Sequence, residues 1–372
     1  MRARVVAAVS CRLLAAWSCV LLAACLQPPA VTDLGRPVSE ADTASNPISR
    51  DAGISAAWSV RESLWLFGDT SQRNGPAFLP GTTAAIGPYT RGVVPNALRE
   101  VPTPPAPHSA GPSAPSPFLP QPRGLRASAE LGCDGTSPYP ASWPAGLARI
   151  PGTEQLLLVY AETCVFSSTD MRTQRLTLSV YDPSANLFRS TSTPFGALPL
   201  EAGLPVAEQL GSPVFGDDGY LYLFGHDVTT SKIIVARVAA DPVSWGDPAS
   251  YRWWSGTWNA DPAAAVSIVS VPFAGSVHVA DYTGLGAHRL AMIVQTEFAS
   301  GRFQVFEATS PTGPWHRGPA GRVPDECGTT GYGCYALNGH AELSTPNRYL
   351  FSWYSPADLS GLGHLRLASV TW

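Results

Sequence analysis

The chain has 372 residues, a formal net charge of −4 at pH 7, and 14% charged side chains. The small net charge and the lack of a Lys/Arg cluster argue against a nucleic-acid-binding protein. The 34 glycines, 36 prolines and 11 tryptophans instead indicate an all-β protein with many turns, long enough for one large domain or two ordinary ones.

The first 25 residues are predicted to be a targeting segment that takes no part in the fold. Arg2 and Arg4 precede an apolar run, which ends in Leu22-Ala23-Ala24-Cys25. This quartet resembles the bacterial lipobox, in which cleavage makes the cysteine the new N-terminus and the cysteine carries lipid. An ordinary secretory signal peptide is the alternative.

A lipid anchor on Cys25 would attach the protein to a membrane through residues 26–47, which have the composition of a polar tether. In lipoproteins that resemble this one, an Asp after the cysteine favours retention at the inner membrane. Leu26 occupies that position. We therefore expect an exported lipoprotein of the cell envelope, at the outer membrane or cell surface, with its folded domain in residues 48–372.

Apart from the lipid-bearing Cys25, four cysteines remain in the mature chain, and an even number in an exported protein indicates disulfides. Cys327 and Cys334 enclose a short Gly-rich loop, GTTGYG, that a bridge closes easily. Cys133 and Cys164 are the remaining pair. A zinc site is the alternative, but there is no CxxC spacing to favour it.

One apolar strand recurs five times at intervals of roughly 60 to 90 residues, which suits four-stranded blades with insertions. Each copy is followed by small or polar residues, and the last strand of the chain, HLRLASVTW (364–372), has no continuation. We expect a five-bladed β-propeller whose fifth blade is completed by N-terminal residues; a pair of β-sandwiches is the alternative. The five copies are LWLFGDT (64–70), LLLVYAET (156–163), LYLFGHD (221–227), LAMIVQTE (290–297) and YLFSWYS (349–355).

Residues 95–124 interrupt the repeat between the first and second blades. These residues are rich in Pro, Ser and Ala and are predicted to bury too little apolar surface to fold. We therefore expect an extended insertion on the surface. A spacer or a recognition segment would both fit this composition.

Asp51 and Asp69 flank the first copy of the strand. If the segment AGISAAW forms a strand, SVR a turn and ESLWLFG the return strand, folding about Val60 brings the two aspartates opposite each other. Like charges at that distance are destabilising unless one is protonated or a cation lies between them. Each aspartate alone could cap a turn, but as a pair they are the best candidates for catalysis.

The same construction places Glu162 near Trp143, His226 near Gly211, Thr296 near Gly275 and Tyr354 near His340. In a propeller these hairpin ends converge on one face. The predicted ring of Asp51, Asp69, Glu162, His226 and His340, with aromatic neighbours, has the make-up of a carbohydrate cleft. A solvated rim role for Glu162 and a packing role for the two histidines remain the alternatives.

RDAGIS…LWLFGDT near the start of the mature chain and GHAELSTPNRYLFSWYS near its end resemble a bacterial family of secreted five-bladed propellers, long known only as a domain of unknown function. That family includes endo-D-arabinanases, which cleave the D-arabinan of mycobacterial-type cell walls. It is related in architecture to arabinanases and β-xylosidases. Its usual His-Pro-Glu-Leu element is similar to His340-Ala341-Glu342-Leu343 here, with Ala341 in place of proline.

The resemblance implies a glycoside hydrolase that cleaves arabinan or a related furanoside polysaccharide. We expect it to be a monomer that needs no cofactor or metal. The resemblance also implies catalytic roles for Asp51 and Asp69 and a further acidic residue from another blade, for which Glu162 and then Glu342 are the candidates. The expected substrate-binding residues are Trp143, His226, His340, Glu342 and Tyr354. A non-catalytic propeller lipoprotein that binds glycan or protein is the alternative. The sequence contains no GxSxG motif that would favour a serine hydrolase.

Overall fold

The computed structural model describes residues 30–73, 77–106, 114–119, 139–167, 170–196, 210–227, 230–282, 289–325, 327, 333–355 and 363–371. These residues form five antiparallel sheets, and the predicted five-bladed β-propeller is confirmed. Apart from one helical turn, α1 (Pro242–Trp245), and two short 3₁₀ turns (Pro248–Ser250 and Pro262–Ala264), the elements are strands. Within this described part, no helix is long and apolar enough for a membrane span.

The strands follow one another blade by blade. The first strand, β1 (Val31–Gly35), belongs to blade 5. Blade 1 contains β2 (Ile48–Ala57), β3 (Glu62–Gln72), β4 (Phe78–Leu79), β5 (Thr83–Pro88) and β6 (Arg99–Glu100). Blade 2 contains β7 (Tyr139–Arg149), β8 (Leu156–Val165), β9 (Met171–Asp182) and β10 (Leu187–Gly196). Blade 3 contains β11 (Leu210–Phe215), β12 (Tyr220–Asp227), β13 (Lys232–Ala239), β14 (Arg252–Trp254) and β15 (Trp258–Asn259). Blade 4 contains β16 (Val277–Asp281), β17 (Leu290–Gln295), β18 (Arg302–Ala308) and β19 (His316–Arg322). Blade 5 contains β20 (Tyr335–Gly339), β21 (Arg348–Ser355) and β22 (His364–Thr371).

The ring closes where the two ends of the chain meet. β1 pairs antiparallel with β22, with Val31 opposite Val370, and forms the outer strand of blade 5. This confirms that N-terminal residues complete the last blade. It also shortens the predicted tether, because residues 31–35 form a strand instead.

The repeated apolar run is the second strand of each blade. Residues 64–67 are all buried, as are residues 156–161 and 221–225. Each of these strands is packed between the two neighbouring blades, so both of its faces are covered and its sequence is continuously apolar rather than alternating. Five apolar clusters, one at each contact between adjacent blades, form the core.

The inner strands β2, β7, β11, β16 and β20 contact one another around the propeller axis. They run in the same direction, so their first residues surround one opening of the axial channel and their last residues surround the other. We call these openings the aspartate mouth, where Asp51, Tyr139 and Tyr335 lie, and the distal mouth, where Ala57, Arg149 and Asp281 lie.

The Pro-rich insertion differs from its prediction where the structure describes it. Phe118 and Leu119 are buried, the Phe118 amide donates to the Thr82 carbonyl, and the Phe118 ring meets Tyr181 edge-on at 4.9 Å. Phe118 and Leu119 therefore help to hold residues 114–119 between blades 1 and 2, and Arg99–Glu100, within the predicted insertion, form β6 of blade 1.

The disulfide predicted in the Gly-rich loop is present. Cys327 and Cys334 are bonded, with their Cα atoms 5.2 Å apart. Cys164 is also part of a disulfide. Its predicted partner Cys133 lies outside the described residues, as does Cys25.

Candidate active site

The hairpin of β2 and β3 brings the two aspartates together, as the sequence predicted. Arg50 pairs with Thr70 and Ala52 pairs with Phe67, so Asp51 alone lies opposite Gly68 and Asp69. A second bulge follows at once, where Ala52 and Gly53 adopt φ angles of 60° and 86°. Bulges re-aim side chains beside functional sites, and here they turn both carboxylates toward the aspartate mouth.

Gly68 makes room for the pair. A Cβ atom at this position would clash with Oδ1 of Asp51. The glycine of the FGDT element therefore has a steric role, since any side chain there would displace the Asp51 carboxylate.

Asp69 is held by three hydrogen-bond donors. Its Oδ1 accepts from the Gly81 amide at 2.6 Å and from Trp143 Nε1 at 2.8 Å, and its Oδ2 accepts from the Tyr139 hydroxyl at 2.9 Å. Burial raises the pKa of Asp69, and these three donors act against that rise. The carboxylate is thus fixed in position, with most of its lone pairs engaged.

Asp51 is the more strongly perturbed of the two. Burial and then the charge of Asp69 raise its pKa to about 7, although a hydrogen bond from the Tyr335 hydroxyl to Oδ2, at 3.3 Å, lowers it. A carboxyl group in this range carries a proton for much of the time at neutral pH, which is the property required of a general acid or base.

Aromatic side chains surround the pair. Tyr335 packs against Tyr354 with ring centroids 4.7 Å apart, and Tyr139 meets the half-exposed Phe78 edge-on at 5.4 Å. Tyr354 was predicted to lie near His340, but the register of β20 and β21 pairs it with Tyr335. Aromatic faces of this kind suit the apolar faces of sugar rings.

Glu162 lies at the same end of blade 2, opposite Ser142 and next to Trp143 in the register of β7 and β8. Its Oε2 forms an ion pair with Arg175 Nη1 at 3.4 Å, and its side chain is 14% exposed. Burial raises the pKa of Glu162, and the charge of Arg175 partly opposes that rise. Glu162 therefore stays a candidate, although its ion pair with Arg175 was not predicted from the sequence.

His226 is half-buried near the end of β12. The predicted neighbour Gly211 pairs with Phe224 instead, because a bulge in β11 shifts the register. Thr296 follows directly after Gln295, whose carbonyl accepts from the Gly275 amide, so this pair of neighbours is as predicted.

His340 and Glu342 are not part of the aspartate mouth. Both follow the end of β20, and both contact Ser55, which lies four residues beyond Asp51 along β2, on the order of 13 Å at the rise of a β-strand. His340 is fully buried and stacks on Trp65 at 4.7 Å. The prediction that His340 joins the ring of Asp51 and Asp69 is therefore wrong: the hairpin construction took it for a strand end, whereas it follows the inner strand at the opposite end of the channel.

Three residues of the site were missed in the sequence: Tyr139, Tyr335 and Gly81. Tyr139 lies four positions before Trp143 on the same strand. That spacing is the feature of the sequence that could have identified Tyr139 as a site residue. Tyr335 and Gly81 reach the aspartates from another blade and from a loop. In the described part of the chain, no three His, Cys, Asp or Glu side chains gather closely enough to hold a metal ion.

Solved structures that match this chain include several enzymes. A proposed hydrolase from Bacteroides ovatus matches 87% of this chain and 85% of its own, with 14% identity and a TM-score of 0.60. A family 117 glycoside hydrolase from the marine bacterium Zobellia galactanivorans matches 92% of this chain and 90% of its own, with 10% identity and a TM-score of 0.50. An endo-arabinase from Bacteroides thetaiotaomicron matches 89% of this chain and 96% of its own, with 11% identity and a TM-score of 0.43.

No protein-family model matches the chain, and no curated protein matches it in sequence. The first two structures support the propeller architecture, and at 14% and 10% identity they establish the fold alone.

Proposed function

We propose that this protein is a glycoside hydrolase whose active site is the aspartate mouth. The observation that carries the proposal is the Asp51–Asp69 carboxylate pair, in which one group is pinned by three donors and the other has a pKa near 7. Two carboxyl groups whose environments differ in this way suit the two roles that glycoside hydrolysis requires.

Asp51 is the proposed proton carrier. Its raised pKa leaves it protonated for much of the time at neutral pH, so it can donate to the glycosidic oxygen as the bond to the leaving group breaks. Asp69, fixed by its three donors, is placed to face the positive charge that develops on the sugar ring. Its Oδ2 accepts a single hydrogen bond, from Tyr139, and so keeps a lone pair for substrate or water.

Glu162 is the proposed third acidic residue. If the proton donor is a residue outside the Asp51–Asp69 pair, Glu162 is the carboxyl group on blade 2 that would take this role. Its ion pair with Arg175 favours the ionised form, whereas burial favours the protonated one. A Glu162→Gln variant assigns it: loss of hydrolysis similar to that of Asp51→Asn places it in the reaction, and a change of a few-fold places it at the rim.

The proposed substrate is arabinan or a related furanoside polysaccharide of a bacterial cell wall. Support comes from the RDAGIS…LWLFGDT and GHAEL elements, which resemble those of the propeller family that includes endo-D-arabinanases. Tyr335, Tyr354, Tyr139 and Trp143 provide the aromatic faces that would pack against successive sugars.

The test is a hydrolysis screen of the purified mature domain against arabinans, arabinogalactan, other furanosides and pyranoside polymers. We expect reducing ends from a furanoside polymer. Asp51→Asn and Asp69→Asn should each lower the rate by about 10² to 10⁴, the usual contribution of acid–base catalysis. Asp247→Asn is the matched control, because Asp247 is exposed and caps a 3₁₀ turn that asparagine caps equally well.

If no polymer yields reducing ends, the hydrolase proposal is wrong. Retained glycan binding in that case would favour the non-catalytic propeller.

The proposed location is the bacterial cell envelope, with a lipid on Cys25. The support is the Leu22-Ala23-Ala24-Cys25 quartet. Replacing Cys25 with Ala should move the protein from the membrane fraction to the soluble fraction of expressing bacteria. A protein that stays soluble with Cys25 intact would contradict the anchor.

A further inference from the structure

The distal mouth holds a cavity that the proposed reaction does not use. Its volume is about 710 Å³, within the range of small-molecule sites. Every blade contributes to its lining, so the cavity lies on the propeller axis. Representative residues, one from each blade, are Ser55, Leu147, Pro213, His278 and Glu342.

His278 offers a hydrogen-bond donor to this cavity. The side chain is 3% exposed, and its Nδ1 accepts from the Gly339 amide at 3.2 Å. Burial lowers the pKa of His278 to about 4, so the ring is neutral and its single proton is on Nε2. Within the described residues Nε2–H has no protein acceptor. In this tautomer Nε2 is also unable to ligate a metal.

Glu342 supplies an oriented carboxyl group to the same cavity. The Ser55 hydroxyl donates to Oε1 of Glu342 and also lies 2.6 Å from Nδ1 of His340. Because a serine has one proton to donate, Nδ1–H of the neutral His340 ring donates to Ser55. This chain of hydrogen bonds fixes the Glu342 carboxyl, which is 9% exposed and lines the cavity.

The walls and rim of the cavity are close to neutral. Small apolar side chains such as Ala56, Ala280 and Ala341 form much of the wall. At the rim, Arg289 bridges Asp217 and Asp281. Arg91 and Arg149 also line the cavity, so its three arginines balance the three carboxyl groups of Asp217, Asp281 and Glu342. A strongly anionic ligand would also meet the carboxyl group of Glu342.

We propose that the distal cavity is a second carbohydrate-binding site, which takes an uncharged sugar residue of a glycan. A sugar hydroxyl can accept from His278 Nε2–H and donate to the Glu342 carboxyl, which gives the buried donor a partner and the carboxyl a second one. The C–H face of the sugar packs against the alanine walls. The site is separate from Asp51 and Asp69 and does not depend on hydrolysis there.

The first test blocks the cavity. Ala57 is half-buried and lines it, so Ala57→Trp should fill the opening; Val243→Trp, at a residue 86% exposed on α1, is the control. Isothermal titration with arabinotriose and xylotriose is performed in an Asp51→Asn background, which prevents turnover. We expect two binding events, one of which weakens at least tenfold with Ala57→Trp and is unchanged with Val243→Trp. The proposal fails if Ala57→Trp leaves all binding unchanged, or if neither sugar binds a second time.

The second test removes the donor. In His278→Asn the amide oxygen can still accept from Gly339, but the Nε2–H group that faces the cavity is lost. We expect at least tenfold weaker binding at the second site with an unchanged melting temperature. Hydrolysis of a short chromogenic furanoside by the otherwise wild-type protein should stay within twofold, which separates this result from a failure of the aspartate site. A folded His278→Asn protein with unchanged affinity would contradict the proposal.

Discussion

Both mouths of the propeller channel contain a carboxyl group whose pKa is raised to about 7, Asp51 at one and Glu342 at the other. The causes differ. Asp51 is raised by burial and by the charge of Asp69, whereas Glu342 is raised by burial alone and has Ser55 as its hydrogen-bond partner. The comparison shows that a perturbed pKa does not identify a catalytic group by itself. The paired carboxylates of the aspartate mouth suit proton transfer, whereas Glu342, whose pKa is raised by burial without a neighbouring charge, suits binding.

The largest expected difference between the two mouths comes from a substitution that displaces the Asp51 carboxylate by steric contact alone and leaves the distal mouth unchanged. Gly68→Ala places a Cβ against Oδ1 of Asp51. We expect hydrolysis to fall by about 10² or more, since misplacing a catalytic group by about 1 Å has that effect. Thermal melts and hydrolysis assays measure the result.

The control is Gly246→Ala, where the new Cβ meets only ordinary van der Waals contacts. Sugar binding at the distal cavity should be unchanged in both variants. A fully active Gly68→Ala protein would show that the position of Asp51 is not critical.

The pH dependence of stability sharpens the comparison. Asp51 titrates at about 7 in the folded protein against 3.8 as its ordinary value. The folded state therefore binds more protons between those values, and stability falls as the pH rises through that window. Asp51→Asn removes this loss, so its stability relative to wild type should increase from pH 4 to pH 7, by at most about 4 kcal/mol at 1.36 kcal/mol per pKa unit.

The stability of Glu342→Gln relative to wild type should also increase with pH. The increase should be smaller than for Asp51→Asn, since the pKa of Glu342 rises only from 4.5 to about 7. The measurement is chemical denaturation at several pH values. A stability difference between Asp51→Asn and wild type that stays constant from pH 4 to pH 7 would contradict the raised pKa.

The smallest expected effect concerns the hydrogen bond that Tyr335 donates to Asp51. This bond stabilises the charged carboxylate, so Tyr335→Phe should raise the pKa of Asp51 further. The pH–rate limb that reports Asp51 should move upward by less than about one unit, given a net hydrogen-bond contribution of about 1 kcal/mol. Tyr354→Phe keeps the aromatic stack and is the matched control. A downward shift of the limb in Tyr335→Phe would contradict this geometry.

Local pairing explains why part of the site was predictable. Asp51 and Asp69 are joined by one hairpin, and strand periodicity is enough to bring them together. Tyr335 and Tyr139 reach them from other blades, and the spacing within a hairpin contains no information about such contacts. The misplacement of His340 has the same origin, because its position depends on where β20 ends.

The sequence by itself determined the fold class, the number of blades and the first hairpin. Strands buried on both faces must be continuously apolar, and that requirement leaves five similar runs in the chain. Only the tertiary structure decided which groups surround each mouth, that β1 closes blade 5, and that Glu342 and His278 line one cavity at the distal end. These contacts join residues far apart in the chain, so they depend on the order and closure of the blades around the axis rather than on any local pattern.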